Sequence, residues 1–330
     1  MAAPAWLGDG RATWLADVEA WVSSVVPADR GGILRFDSVK ERPWGAVFRV
    51  VTADGVRYFK AAGPLGRHEA TIIADLAPRW PTLVPDVIAV DRRRSWMLLA
   101  DHGLPMGDAV GITEQVTALE LLLPTYAEMQ AATEGQVPAW LAIGTPDRRL
   151  RELPDLLDRL LRGAAPVGRV QIGDADRAAY LADLPLLASV CADLATTPTV
   201  DALDHADLHG TNVLVDGSRQ RLADWGDSCI THPYSSLLVP LSFVVGSLPG
   251  PERRPATLRL CDAYLEPWGR TSENRRALGL AVWVGHVTRA VNVAHETLGA
   301  PGDHGEIATL LRDWHAKRSP LSRPDDIVQP

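Results

Sequence analysis

Asp207, Asn212 and Asp224 are the residues whose types and spacing could do chemistry, in the stretch DHADLHGTNVLVDGSRQRLADWGD at 204–227. The stretch reads as two short apolar strands, 213–215 and 221–223, joined by a turn containing Asp216-Gly217. If Val213 pairs with Ala223 and Val215 with Arg221, Asn212 and Asp224 come side by side at the open end. An amide oxygen and a carboxylate are hard ligands of the kind Mg²⁺ accepts beside phosphate oxygens. Asp207 precedes Asn212 on the loop leading into the same end. Two metal ligands and a separate carboxylate to orient or deprotonate a hydroxyl are what phosphoryl transfer requires.

The elements that must position these residues follow from periodicity. Trp14, Leu15, Val18, Trp21, Val22 and Val25 recur at helical spacing. Three β-rich runs follow at 33–39, 46–52 and 56–61, the last two joined across Asp54-Gly55. A helix is expected over 68–77, then strands over 87–90 and 96–100, with His102-Gly103 as the exit. Helices are expected over 115–132, 150–161, 175–194, 233–245, 255–265, 272–298 and 305–317. The fold class is α+β: an N-terminal helical extension (1–30), a small β-rich lobe (31–102), and a large mainly helical lobe (103–330) that contains the hairpin. A ligand cleft between the lobes is expected.

Composition narrows the partners. The 330 residues are 46% hydrophobic with net charge -8, and Arg92-Arg93-Arg94 is the one dense basic run, so no nucleic-acid partner is expected. Cys191, Cys229 and Cys261 lack metal-like spacing, and their odd number argues against a disulfide framework. The N-terminus does not read as a signal peptide. The longest apolar run, 237–245, is broken by Pro240 and too short for a bilayer. A soluble, cytoplasmic protein without a membrane partner is expected, with monomer and homodimer both open.

HADLHGTN matches the kinase-type catalytic loop His-x-Asp-Leu-x-x-x-Asn, and Asp224-Trp225-Gly226 matches the metal-binding Asp-Phe-Gly position. With HADLHGTNVLV followed by DWGD, the chain resembles the aminoglycoside phosphotransferase and choline kinase-like family more than protein kinases. The order of lobes fits that family along nearly the whole chain. The resemblance implies a two-lobed protein-kinase-like fold, with Asp207 as catalytic base or hydroxyl-orienting carboxylate and Asn212 and Asp224 holding Mg²⁺ on the nucleotide. It further implies that Lys60 contacts the α- and β-phosphates and pairs with a helix carboxylate, best matched by Glu69. His205 would brace the catalytic loop, and Gly45, Val47, Ala100 and His102 would complete the nucleotide-binding set. Few residues separate Gly226 from the apolar segment at Pro233, leaving no room for an activation loop, so protein kinase activity is not expected.

Each assignment has a plainer competitor. Lys60 could be a solvated strand-end cation, yet it is one of three lysines among 33 basic residues, and a compact ammonium suits a phosphate in a tight site. Glu41 and Asp75 are alternatives to Glu69. His205-x-Asp207-x-His209 could be read as a zinc cluster of a hydrolase, but that leaves Asn212, Asp224 and Lys60 without a role. His209 is better read as touching backbone or lining the phosphate site. A single glycine in Glu41-Arg42-Pro43-Trp44-Gly45, and Tyr58 two before Lys60, leave GTP open beside ATP. Asp227, and more remotely Glu266 and Glu296, could attract a cationic acceptor, although distant surface carboxylates are ordinary. The expectation is an ATP- and Mg²⁺-dependent transfer to a small-molecule hydroxyl, with an aminoglycoside or amino sugar as leading acceptor and with antibiotic resistance and metabolism both open as the role. The alternatives are a metabolite kinase acting on choline, an amino alcohol, homoserine or a sugar, and a non-catalytic nucleotide-binding module.

Overall fold

The structure is a computed structural model that describes residues 4–26, 32–166, 170–296 and 304–318. In chain order it runs α1 (Arg11–Val25), β1 (Ile33–Arg42), β2 (Gly45–Thr52), β3 (Gly55–Ala62), α2 (Glu69–Leu76), β4 (Val87–Asp91), β5 (Trp96–Ala100) and a two-residue β6 (Leu104–Pro105). Then follow α3 (Met106–Ala109), α4 (Ile112–Ala132), α5 (Val137–Ala142), α6 (Leu153–Leu161), α7 (Asp174–Ala182), α8 (Leu184–Leu194) and β7 (Ala202–Asp204). The chain continues with β8 (Val213–Asp216), β9 (Arg219–Leu222), β10 (Cys229–Thr231), α9 (Leu238–Phe243), α10 (Gly250–Tyr264), α11 (Ser272–Glu296) and α12 (His304–Ala316). The class is α+β, and the chain divides into two compact units.

The first unit takes the chain as far as Leu104 and then Val213–Gly226. Its sheet has the order β1-β2-β3-β5-β4, all neighbours antiparallel. Alternation sorts its residues: Ala46, Phe48, Val50, Phe59, Ala61, Trp96 and Leu98 pack in one core with Trp14, Val18 and Val22 of α1. Trp14 sits among Trp6, Phe48, Phe59 and Trp96, with ring centroids 5.3–6.3 Å away. In the hairpin, Val213 pairs with Leu222 and Asp216 with Arg219, one residue out of the expected register. The turn is two residues long, and Gly217 takes φ +58, the left-handed conformation such a turn favours. Asn212 opposite Asp224 therefore does not follow from strand pairing. The hairpin also packs with the first unit, not within the helical region where it was expected: Leu222 N–H donates to Leu83 O at 2.7 Å.

The second unit comprises Pro105–Asn212 and the chain from Asp227 onward. The helix expected over 175–194 is two helices, because Pro185 cannot supply the N–H an uninterrupted helix needs, and α8 starts with it in its first turn. The run 233–245 likewise breaks into a 3-10 turn, Pro233–Leu237, and the short α9. α11 is long and apolar enough to cross a membrane by length and composition, yet it is a buried core helix. A Cβ on its Gly285 would meet Ser235 O at 3.2 Å, so this residue lets α11 approach the 3-10 turn closely.

Because Trp14 fills the centre of the first unit's core, Trp14→Ala should destabilise that unit by about 3–5 kcal/mol. Denaturant unfolding checks this, and a loss below about 1 kcal/mol would show that the aromatic cluster does not hold the sheet to α1.

Candidate functional site

Val47 of β2, Lys60 of β3 and Met97 of β5 are direct cross-strand partners. They occupy the sheet face opposite α1, because their strand neighbours Phe48, Phe59 and Leu98 face the α1 core. Lys60 Nζ donates to Glu69 Oε1 and to Asp224 Oδ1, each at 2.6 Å. Glu69 opens α2, where the helix dipole favours an anion, and only 1% of its side chain is exposed. Trp225 N–H donates to the same Oε1 at 2.9 Å. Asp224 has φ +63, a conformation that costs a non-glycine residue roughly 1–2 kcal/mol. Burial alone would lower the Lys60 ammonium, but the Asp224 and Glu69 carboxylates hold it above the ordinary lysine value. Burial raises Glu69 against the pull of Lys60. The competing carboxylates are engaged elsewhere, Glu41 with Arg11 at 2.7 Å and Asp75 with Arg92 at 2.9 Å.

Of the remaining expected nucleotide residues, Gly45 and Ala100 lie in paired strands of this sheet. The His102 imidazole accepts from Asp86 N–H at 2.8 Å through Nε2, a structural use that leaves less of the ring for a ligand.

In the second unit, Asp207 lies on the loop after β7. Its Oδ2 accepts from Asn212 Nδ2 at 2.7 Å and lies 3.1 Å from His209 Nε2. Asn212 Nδ2 also donates to Asp207 O at 2.8 Å. One neutral His209 tautomer satisfies every contact: Nε2–H donates to Asp207, and Nδ1 accepts from Thr211 Oγ1 at 3.1 Å. Asp207 N–H donates to His205 Nδ1 at 3.3 Å, and His205 itself is fully buried. Ala206 between them has φ +62. Arg289 of α11 donates to Ala206 O at 2.6 Å, lies 2.8 Å from Asp207 Oδ1, and is held from its other side by Glu306 of α12 at 3.0 Å. Nη1 carries two protons, so it can donate to the Ala206 carbonyl while pairing with the buried Asp207 Oδ1. Burial would raise the Asp207 carboxyl, but the His209 hydrogen bond and the Arg289 charge hold it well below the usual carboxylate range.

Beneath this loop is a buried polar network. Asp204 Oδ1 accepts from Ser236 Oγ at 2.8 Å, Ala206 N at 3.0 Å and Tyr126 Oη at 3.1 Å. Gln130 Nε2 donates to Leu203 O and Ser236 Oγ, and Tyr264 Oη donates to Gln130 Oε1 at 2.6 Å. Burial raises the Asp204 carboxyl.

Asn212 in the second unit and Asp224 in the first each offer a hard oxygen of the kind Mg²⁺ accepts. The amide's nitrogen is committed to Asp207, which leaves its oxygen as the donor atom, and the Asp224 side chain is 38% exposed. Among the described residues no group of three His, Cys, Asp or Glu side chains could hold a metal, which removes the zinc reading. Asp227 O accepts from Asn292 Nδ2 at 2.8 Å. Glu266 is an exposed partner of Arg270, and the Glu296 side chain lies outside the described residues.

The fold is that of the protein-kinase-like phosphotransferases. A choline/ethanolamine kinase family protein from Mesorhizobium loti superposes with TM-score 0.61 at 17% identity, covering 95% of this chain and 98% of that one. An aminoglycoside phosphotransferase in ternary complex with ADP and hygromycin B gives TM-score 0.59 at 15% identity, with 94% and 98% covered. A macrolide 2′-phosphotransferase from Brachybacterium faecium gives 0.55 at 17%, with 88% and 97% covered. No family model matches the sequence, and no curated protein does.

The structure thus gathers Lys60, Glu69 and Asp224 in one cluster, and Asp207, Asn212, His205 and His209 in another. Sequence reasoning missed Asp204, Arg289 and Glu306. Arg289 left a signal, since it is the one Lys, Arg, Asp or Glu in residues 277–295.

A carboxylate with a depressed folded pKa contributes stability that is present above its unfolded value, about 3.9, and lost as pH falls below it. The Asp207→Asn protein should therefore lose less unfolding free energy between pH 7 and pH 3 than the native chain. Urea titrations across that range test this, and equal acid losses would remove the pairing from the account. Arg289→Met, which strands Asp207, should cost roughly 3 kcal/mol at neutral pH.

Proposed function

We propose that this chain is an ATP- and Mg²⁺-dependent phosphotransferase that moves the γ-phosphate to a hydroxyl of a small molecule. The observation that carries the reading is the Lys60 ammonium held between Glu69 and Asp224 at 2.6 Å each. A buried ion triad is weak evidence for stability, whereas a fixed cation beside a partly exposed carboxylate is what a nucleotide phosphate site needs. Lys60 would contact the α- and β-phosphates, with Gly45, Val47 and Ala100 along the nucleotide. Asn212 and Asp224 would hold Mg²⁺, which neutralises charge on the phosphates when bound.

Asp207 would meet the acceptor hydroxyl. Its Oδ2 accepts from Asn212 and lies beside His209, and its Oδ1 faces Arg289, so the carboxylate is held in one orientation. As the acceptor oxygen bonds to the γ-phosphorus, the bridging bond to ADP breaks and the hydroxyl proton passes to Asp207. A carboxylate held so far below neutrality is a weak base. That suits a loose transition state in which Asp207 chiefly orients a hydroxyl that keeps its proton until late. His205 and His209 would position the loop.

The neighbours named as choline, aminoglycoside and macrolide kinases support a small hydroxylated acceptor. We take a cationic amino sugar or amino alcohol as its class, with Asp227, one residue past the Asp224-Trp225-Gly226 triplet, as the acidic group that would attract it. ATP consumption across aminoglycosides, choline, ethanolamine, homoserine and simple sugars tests this. Turnover with none of them, under conditions where ATP binds, would leave only a nucleotide-binding module.

Asp207→Asn should lower turnover roughly 10²- to 10⁴-fold while nucleotide affinity changes little. Full phosphotransfer by that variant would strip Asp207 of its role. Lys60→Ala should raise the nucleotide KM, lower kcat, or both, as steady-state kinetics would show.

A further inference from the structure

We propose that Lys40 is a second phosphate-binding cation of the nucleotide site, placed there by a β-bulge in β1. The inference rests on the phosphotransferase reading and adds a residue to it.

β1 pairs with β2 in a register that shifts between Ser38 and Lys40: Ser38 lies opposite Phe48, and Lys40 opposite Val47. Val47 in turn lies opposite Lys60. Directly opposed residues on neighbouring strands point to the same face, so Lys40, Val47 and Lys60 form one row across the sheet. Without the extra residue, Val39 would face Val47, and Lys40 would turn to the α1 side. The bulge instead leaves Val39 57% exposed and sends Lys40 to the site face. Lys40 Nζ comes within 3.7 Å of Asp224 Oδ2, while Lys60 holds Oδ1.

Stability does not account for this arrangement. The Lys40 side chain is 42% exposed and Asp224 38%, and an exposed pair is worth about 0–1 kcal/mol. Two of the chain's three lysines nonetheless converge on one carboxylate, in a protein that otherwise uses arginine. The β1–β2 turn explains the need. Pro43 has no N–H, and the Trp44 carbonyl is tied to Gly63 N–H at 2.7 Å, so the turn is clamped to the end of β3. A Cβ on Gly63 would meet Trp44 O at 2.7 Å. A turn with one glycine and a proline offers few backbone donors to phosphates. A mobile ammonium on the strand just before it supplies positive charge instead. The strand end is anchored for this, because Glu41 accepts from Arg11 and from Ser38. With nucleotide present, the Lys40 ammonium leaves Asp224 Oδ2 for a phosphate oxygen.

Calorimetric titration of the full chain with ADP and with adenosine, at fixed Mg²⁺ and low salt, tests the proposal. Lys40→Met should weaken ADP about tenfold, the effect of one charge-assisted contact, and leave adenosine unchanged. Lys40→Arg should restore most of the ADP affinity. Lys60→Met is the control for the nucleotide site itself. If Lys60→Met weakens ADP and Lys40→Met does not, the inference falls and the phosphotransferase reading stands. If neither variant affects ADP, both fall. Equal weakening of ADP and adenosine by Lys40→Met would mean altered shape in place of a phosphate contact, and would also overturn it.

Discussion

A buried ammonium must be paired, and the first unit is arranged around that requirement at Lys60. Moving the charge out of water is unfavourable by several kcal/mol, which only close anions offset. The chain supplies two from distant places, Glu69 at the first turn of α2 and Asp224 just after β9. Each is constrained in return. Glu69 is almost wholly buried and also accepts from Trp225 N–H, while Asp224 is held in a left-handed conformation that is uncommon outside glycine. The triad therefore ties sheet, helix and hairpin of this unit together through one nitrogen.

The second unit solves a related problem with a different device. The loop that bears Asp207 carries a buried carboxylate immediately before it, Asp204, satisfied by two hydroxyls and a backbone N–H. Above it, Asp207 is kept ionised by Arg289, itself pinned by Glu306. α11 and α12 thus reach Asp207 through electrostatics, Arg289 from α11 and Glu306 from α12.

Departures from regular geometry collect at these places. Among the described residues, the two non-glycine residues in the left-handed region outside the β4–β5 turn are Ala206 and Asp224, one in each cluster. A bulge in β1 redirects Lys40. Strain held where the surroundings over-determine it is a recurrent mark of sites that must present a side chain in one direction.

Much of this was legible in the residues alone. The sheet strands, α2 and the major helices follow from period-2 and period-3.6 patterning, and the phosphotransferase-like spacing of Asp207, Asn212 and Asp224 is linear information. Lys60 stood out because lysine is rare here. What tertiary structure alone decided has a common cause: it depends on which distant groups come within a few ångströms. The choice of Glu69 over Glu41 and Asp75 turned on where Arg11 and Arg92 lie. The hairpin register turned on a two-residue turn, a difference of one residue that apolar alternation over four-residue strands is too short to specify. The split at Pro185 was local and readable, but the pairing of Arg289 with Asp207 joins residues 82 apart along the chain. Periodicity reports a residue's local face; the electrostatic partner on that face is set only when the chain has folded.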